Sequence, residues 1–212
     1  MTRIIAGFAG SLTLAVPRTG TRPTSERIRE AVFSSLEAQD ALDGARVLDL
    51  YAGSGALGLE AVSRGAESAV LVERHGPAAA VCRRNAAALK SRAGREGAVA
   101  VEVVQRPVQA YLETVATTGR TFDVVFLDPP YDLPEADLTR DLALLAPALA
   151  PDALVLVERG SRASRPTWPD DAVTWRSRVH GDTAVWTALP HAGADEAEAD
   201  ETEADEAAAD PA

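Results

Sequence analysis

The feature that most constrains this chain is a repeated alternation between short, continuous apolar runs and longer segments of helical period. The runs fall at 46–50, 68–73, 99–104, 122–127 and 153–158, and the helical segments at 56–64, 77–89, 108–117 and 138–149. A continuously apolar strand cannot leave a face in water and needs a cover on both sides. Such strands joined by helices predict an open, mostly parallel α/β sheet with helices on both faces. Two further strand-like stretches, 173–178 and 183–189, flank His180-Gly181-Asp182 and are expected as an antiparallel edge.

Three regions follow. Residues 1–43 form an N-terminal appendage: two short strands around a glycine-containing turn between Arg3 and Val16, then a helix opening at Thr24-Ser25-Glu26-Arg27. Thr24 or Ser25 can cap that helix, and Ile28, Ala31, Val32 and Leu36 supply its apolar stripe. The alternating region spans 44–190. Residues 191–212 are rich in Ala, Glu and Asp and are expected to be disordered, since they bury too little apolar area to offset ordering.

Charge matters because of where it sits. The net charge is −11, but nine acids and no base lie between Ala192 and Ala212. Removing those nine from the 32 acids leaves 23 against 21 bases, a near-neutral −2 for the body. The single cysteine, Cys82, excludes an internal disulfide and reads as a small buried thiol, and no metal-ligand cluster is evident. The apolar run after Arg3 is broken by Gly7, Gly10, Ser11 and Thr13 and fits a signal peptide poorly. Nothing approaches the length of a membrane span, and a cytoplasmic monomer is the expectation.

Residues 47–58 read Val-Leu-Asp-Leu-Tyr-Ala-Gly-Ser-Gly-Ala-Leu-Gly, a strand, a glycine turn and a helix start. Gly53, Gly55 and Gly58 match the dinucleotide fingerprint, with Glu73 twenty residues beyond Gly53. On glycines alone, a nicotinamide oxidoreductase is a rival. Asp49 separates the two. A carboxylate at the strand end repels a pyrophosphate, whereas it stabilises the amine and sulfonium of S-adenosyl-L-methionine. Glu73 suits ribose hydroxyls in either case. Asp49, Tyr51, Gly53, Gly55, Glu73 and Arg74 are the candidate cofactor-binding residues.

Asp128-Pro129-Pro130-Tyr131 follows the apolar run 122–127. Ligands of open parallel sheets bind at the C-terminal strand ends. Two prolines stiffen the backbone there and remove two N–H donors. What remains is a fixed pair of acceptors, the Asp128 carboxylate and the Pro129 carbonyl. They are suited to hold both N–H groups of an exocyclic amine and aim its lone pair at a methyl group. Tyr131 can stack on a base. These four are the candidate catalytic residues.

Together, Asp-Leu-Tyr-Ala-Gly-Ser-Gly and Asp-Pro-Pro-Tyr resemble the amino-directed class I methyltransferases. Arg3 to Gly7, Thr21-Arg22-Pro23-Thr24-Ser25-Glu26-Arg27-Ile28-Arg29-Glu30-Ala31-Val32-Phe33, and His180-Gly181-Asp182-Thr183 strongly resemble the RsmD-type family. The resemblance runs from Arg3 to about Leu189. It implies a Rossmann-like, seven-stranded, mostly parallel sheet with a reversed last strand. It implies S-adenosylmethionine-dependent methylation of the N2 amine of a guanine in small-subunit (16S) ribosomal RNA, naked or in the assembling subunit. Arg18, Arg22, Arg27 and Arg29 are then the candidates for RNA phosphate contact. The chain departs from the family in Phe8-Ala9-Gly10-Ser11-Leu12, which lacks the usual hairpin bases, and in Ser34, where Asn is common. Gln105-Arg106-Pro107 also offers no clear side-chain acceptor for the cofactor adenine. The alternatives are a DNA adenine-N6 methyltransferase, which often carries an added target-recognition domain for which 212 residues leave little room, and a protein-glutamine methyltransferase, whose tetrapeptide more often starts with Asn. A non-catalytic RNA-binding module is the last, and both intact motifs disfavour it.

Overall fold

The computed structural model describes residues 2–17, 25–94, 99–168 and 173–190. Arg18, Arg22, Thr24 and the acidic segment from Ala192 onward lie outside these residues. The described elements are β1 (Thr2–Arg3), β2 (Thr13–Leu14), α1 (Glu26–Glu37), β3 (Arg46–Leu50), α2 (Ala56–Ser63), β4 (Ser68–Val72), α3 (Gly76–Ala93), β5 (Ala100–Val104), α4 (Val108–Val115), β6 (Phe122–Leu127), α5 (Glu135–Leu145), β7 (Leu149–Gly160), β8 (Val173–His180) and β9 (Thr183–Pro190). The main sheet has the order β5-β4-β3-β6-β7-β9-β8. Its first five strands are parallel and β9 runs antiparallel to both neighbours. This is the expected class I methyltransferase architecture, with a separate small antiparallel pair, β1–β2.

The strands are apolar on both faces because both faces are covered. Val47, Ala69, Leu71, Val124 and Phe126 face a core shared with α1, α2 and α3. Leu48, Leu50, Val70, Val72 and Val125 face a second core shared with α4 and α5. Burying a leucine such as Leu48 or Leu59 completely contributes about 2 kcal/mol over leaving it exposed.

Three local details differ from the expectation, each for a physical reason. Helix α5 begins at Glu135, earlier than the apolar period suggests, because Pro134 sits at its N-cap and Glu135 and Asp137 fill its first turn. It ends early because Pro147 tightens the chain into a 3₁₀ turn over Ala146–Ala148. In α1 the Ser25 side chain accepts the Ile28 N–H, which settles the cap. The buried α1 residues are Ile28, Arg29, Phe33 and Leu36, so Phe33 and Arg29 take the places that the sequence gives to Val32 and Ala31.

The N-terminal segment is bolted onto the sheet domain. Ile4, Ala9, Leu14 and Phe33 belong to the same core as β3 and α2. Glu60, fully buried in α2, accepts the Ile5 and Ala6 N–H groups at 2.7 and 3.0 Å and the Arg64 guanidinium at 2.7 Å. Ser63 donates to the Ala6 carbonyl and accepts the Ala9 N–H. The approach at Gly7 is so close that a Cβ there would lie 1.7 Å from the Ser63 carbonyl oxygen.

Candidate active site

The sheet changes direction between β3 and β6, since the chain leaves β3 for β4 on one side and returns to β6 on the other. At such a switch point the loops part and leave a crevice at the C-terminal strand ends. A cleft of about 990 Å³ opens there. Asp49, Tyr51, Gly53, Glu73 and Arg74 line one side and Asp128, Pro129, Pro130 and Tyr131 the other, while Thr2, Val16, Pro17 and Arg29 add an N-terminal wall. Two motifs nearly eighty residues apart thus share one cavity.

The glycine loop is held from below. Gly53 and Gly55 both have positive φ, 54° and 79°, which lets the chain turn from β3 into α2. The Glu73 carboxylate accepts the Gly53 N–H at 3.0 Å and the His75 N–H at 2.7 Å, tying the loop to the end of β4. Asp49 accepts the Gly58 N–H at 2.9 Å. A Cβ on Gly58 would meet Leu71 at 2.3 Å and Asp49 at 3.2 Å, so only glycine lets α2 sit this close to β3 and β4. Asn85 links the loop to the N-terminal segment, donating to the Ser54 and Ala15 carbonyls and accepting the Ala15 N–H.

Asp49 is 1% exposed, and its Oδ1 has no hydrogen-bond partner. Burial, opposed by the Gly58 N–H and reinforced by the nearby Glu73 charge, pushes its carboxyl up to about 7. A buried carboxyl with a vacant oxygen on a cleft wall is ready for a cationic guest.

Tyr51 lines the cleft and also braces it. Its backbone is left-handed, with φ 64°, and its hydroxyl donates to the buried Asp141 of α5. Burial first, then the Asp141 partner, pushes the Tyr51 phenol up, and burial raises the Asp141 carboxyl too. The hydroxyl is therefore committed to a strut between the cofactor loop and α5.

Arg29 departs from its expected part. Expected as a contact for RNA phosphate, it is instead buried, at 1% exposure. Its Nη2 donates to Thr2 Oγ1 and to the Arg3 carbonyl, while Nε and Nη1 have no partner. It lies on the apolar stripe with Phe33 and Leu36, which draws it inward. Burial lowers its pKa, partly opposed by Glu60 and Glu26. Arg27 is exposed on α1 and does not line the cleft, and Arg74 is exposed on its rim.

On the other side, the Pro130 carbonyl accepts the Leu133 N–H at 2.9 Å, closing a tight turn. The Pro129 carbonyl receives no backbone N–H among the described residues. Arg159, at the end of β7, reaches the Leu133 carbonyl and pairs with Glu135 at 3.1 Å, bracing the loop from outside. The Tyr131 ring is 65% exposed and lies against Gly160. Gln105 accepts from Arg83 at 3.1 Å and is not part of the cleft lining.

The sequence reading missed Glu60, Ser63, Asn85 and Asp141. Asp141 had a signal: an acid among Leu138, Leu142 and Leu145 on one buried stripe. Glu60 had one too, as an acid in a helix whose middle is otherwise apolar. Cys82 is fully buried, and burial pushes its thiol up, consistent with an inert packing residue.

Comparison with known proteins agrees with this geometry. The protein named ribosomal RNA small subunit methyltransferase D in Escherichia coli (strain K12) is 36% identical over 183 residues, covering 86% of this chain and 86% of that protein. The protein of the same name in Haemophilus influenzae is 34% identical, covering 74% of this chain and 77% of that one. The solved structure of a hypothetical protein from Thermus thermophilus superposes with a TM-score of 0.74 at 32% identity, covering 89% of this chain and 99% of that one. A family described as "Conserved hypothetical protein 95" matches residues 2–188, and with these relatives it places the chain in that family, the RsmD-type family of class I methyltransferase fold.

Proposed function

We propose that the protein transfers a methyl group from S-adenosyl-L-methionine to the N2 amine of a guanine in small-subunit ribosomal RNA. The observation that carries this reading is the shared cleft: a glycine loop with a buried, half-satisfied Asp49 on one wall and Asp128-Pro129-Pro130-Tyr131 on the other. The substrate class is supported by relatives named as ribosomal RNA small subunit methyltransferases.

The residues fit the cofactor's chemistry. Asp49 offers a vacant carboxylate oxygen and Arg29 two vacant guanidinium nitrogens on the same cleft. A zwitterionic amino-acid end, ammonium toward Asp49 and carboxylate toward Arg29, would satisfy both. Glu73 spends one lone pair of each oxygen on the backbone and keeps others for ribose hydroxyls. When bound, S-adenosylmethionine supplies an electrophilic methyl group whose carbon–sulfur bond breaks as the amine attacks. Asp128 and the Pro129 carbonyl orient the amine, which loses a proton during or after transfer. Tyr131 supports the unstacked base. The N-terminal appendage adds Thr2, Val16, Pro17 and Arg29 to the cleft, residues 44–190 carry the chemistry, and Arg27 meets phosphate as a monomer engages the RNA.

The test is transfer of a labelled methyl group to naked small-subunit RNA, assembled small subunits and DNA, followed by nucleoside analysis. The expected product is N2-methylguanine in RNA. Label confined to DNA or to protein overturns the reading.

A further inference from the structure

We propose that the α1-side face of β8 and β9 is a track for the RNA strand next to the target base, gripped by Arg176 and Arg178. This rests on the ribosomal RNA reading above and adds a second contact surface to it.

The strand register places the track. Gly160 of β7 pairs with Thr183 of β9, and Thr183 pairs with His180 of β8, so the three form one row across the sheet. The next row is Glu158–Val185–Arg178, and the one below it is Leu156–Thr187–Arg176. Side chains two apart on a strand share a face. Leu156 and Val185 belong to the core beneath α1, so Gly160, His180, Arg178 and Arg176 belong to that face as well. A Cβ on Gly160, which would point to this face, would stand 3.9 Å from the Tyr131 ring. The Tyr131 ring, through Gly160, and the two arginines thus lie on the same face of the sheet, with the buried Thr183 between Gly160 and His180. With strands about 4.8 Å apart and about 3.4 Å per residue, the path from Gly160 to Arg176 runs roughly 10 Å outward and then roughly 13 Å down β8.

The opposite face of this hairpin carries an aromatic cluster at its base, while Ser177 and Val179 farther along it are exposed. Trp175 stacks edge-on against both Trp168 and Trp186, at 6.1 and 6.4 Å between centroids. On the α1 side, a groove of about 280 Å³ runs between α1 and β8, with Val185 and Leu189 contributing to its apolar lining. Arg176 and Arg178 are exposed at its edge and form no ion pair among the described residues. Six of the other described arginines, Arg3, Arg46, Arg64, Arg120, Arg140 and Arg159, each meet a carboxylate. The only acid in the two arginine rows is Glu158, two strands inward, which leaves the outer edge cationic. Two such guanidiniums at successive same-face positions, above an apolar shelf, complement a phosphate backbone whose bases can rest on aliphatic surface.

The experiment uses the full chain with both arginines changed, R176A/R178A, beside R176K/R178K. Binding to naked small-subunit RNA is followed against salt, and methyl transfer is followed under the same conditions. The alanine variant is expected to lose about tenfold or more in RNA affinity near physiological salt, and its log–log salt slope should become shallower by about 1.4, the single-strand value for two phosphates. Affinity for S-adenosylhomocysteine and turnover at saturating RNA should stay unchanged, and the lysine variant should retain most of the binding. An unchanged salt slope overturns the track. A defect seen only with assembled subunits also overturns it, because the surface would then meet protein. A wild-type chain that binds RNA through these arginines yet transfers no label overturns the catalytic reading and leaves the track standing.

Discussion

The two walls of the cleft are built by opposite means. The glycine-loop wall is part of the core: Asp49 and Glu73 are buried, and their oxygens hold backbone N–H groups of Gly58, Gly53 and His75. The Asp128-Pro129-Pro130-Tyr131 wall is a loop stiffened by two prolines and braced by Arg159, with Pro129 buried, Asp128 and Pro130 half-buried, and Tyr131 turned to solvent. A small, invariant ligand rewards a preformed buried site, while a macromolecular substrate needs an open one. Changes on the first wall should therefore cost binding and stability together, and changes on the second should cost rate alone.

The sharpest break would come at Asp128. Asp128→Ala should lower methyl transfer by about a hundredfold or more, because orientation and charge placement carry most of the catalysis here. Its affinity for S-adenosylhomocysteine by calorimetry should stay within an order of magnitude of wild type. Near-normal turnover would remove the amine-orienting role. Gly53→Val comes next. It forces a β-branched residue to positive φ and strains the Glu73 contact, so cofactor affinity should fall by roughly tenfold to a hundredfold, given a backbone cost of about 1–3 kcal/mol. Unchanged calorimetric affinity would separate the loop from the cofactor.

The pH dependence probes the buried wall directly. The Asp49 carboxyl is raised from 3.8 to about 7, so ionisation costs the empty fold stability. That stability is fully present below about pH 4 and is lost as pH rises through 7. A cationic ligand favours the ionised form, so cofactor affinity should rise with pH up to about 7, by at most about tenfold per unit. It should fall again above about 8 as the ligand's own amine loses its proton. Asp49→Asn should flatten the rising limb; a rise that persists in that variant would assign it to another group. The smallest effect is expected at Tyr51→Phe, which removes the donor to Asp141 and should cost about 1–3 kcal/mol in denaturant unfolding with little change in RNA KM.

What the sequence disclosed follows the same division. The glycine loop and Asp-Pro-Pro-Tyr are local in the chain, and both were legible with their strands. Asp49 was legible because its charge discriminates between cofactors. The supports were not. Glu60 bonds residues 54 and 55 positions away, and Tyr51 reaches 90 positions to Asp141. No local spacing encodes such pairs. Arg29 shows the cost of judging residue type without its stripe: it stands four before Phe33 and seven before Leu36, so the helical period sends it inward.

The contacts of Glu60 and Ser63 also bear on the order in which the molecule forms during synthesis. A pair of two-residue strands has no stability of its own. The backbone N–H groups of Ile5, Ala6, Phe8 and Ala9 find their acceptors in α2, 54 or 55 residues later for the side-chain contacts. These residues are thus made before the helix that seats them. A chain stalled before α2 would leave Ile4, Ala9 and Leu14, all fully buried in the finished fold, unsheltered.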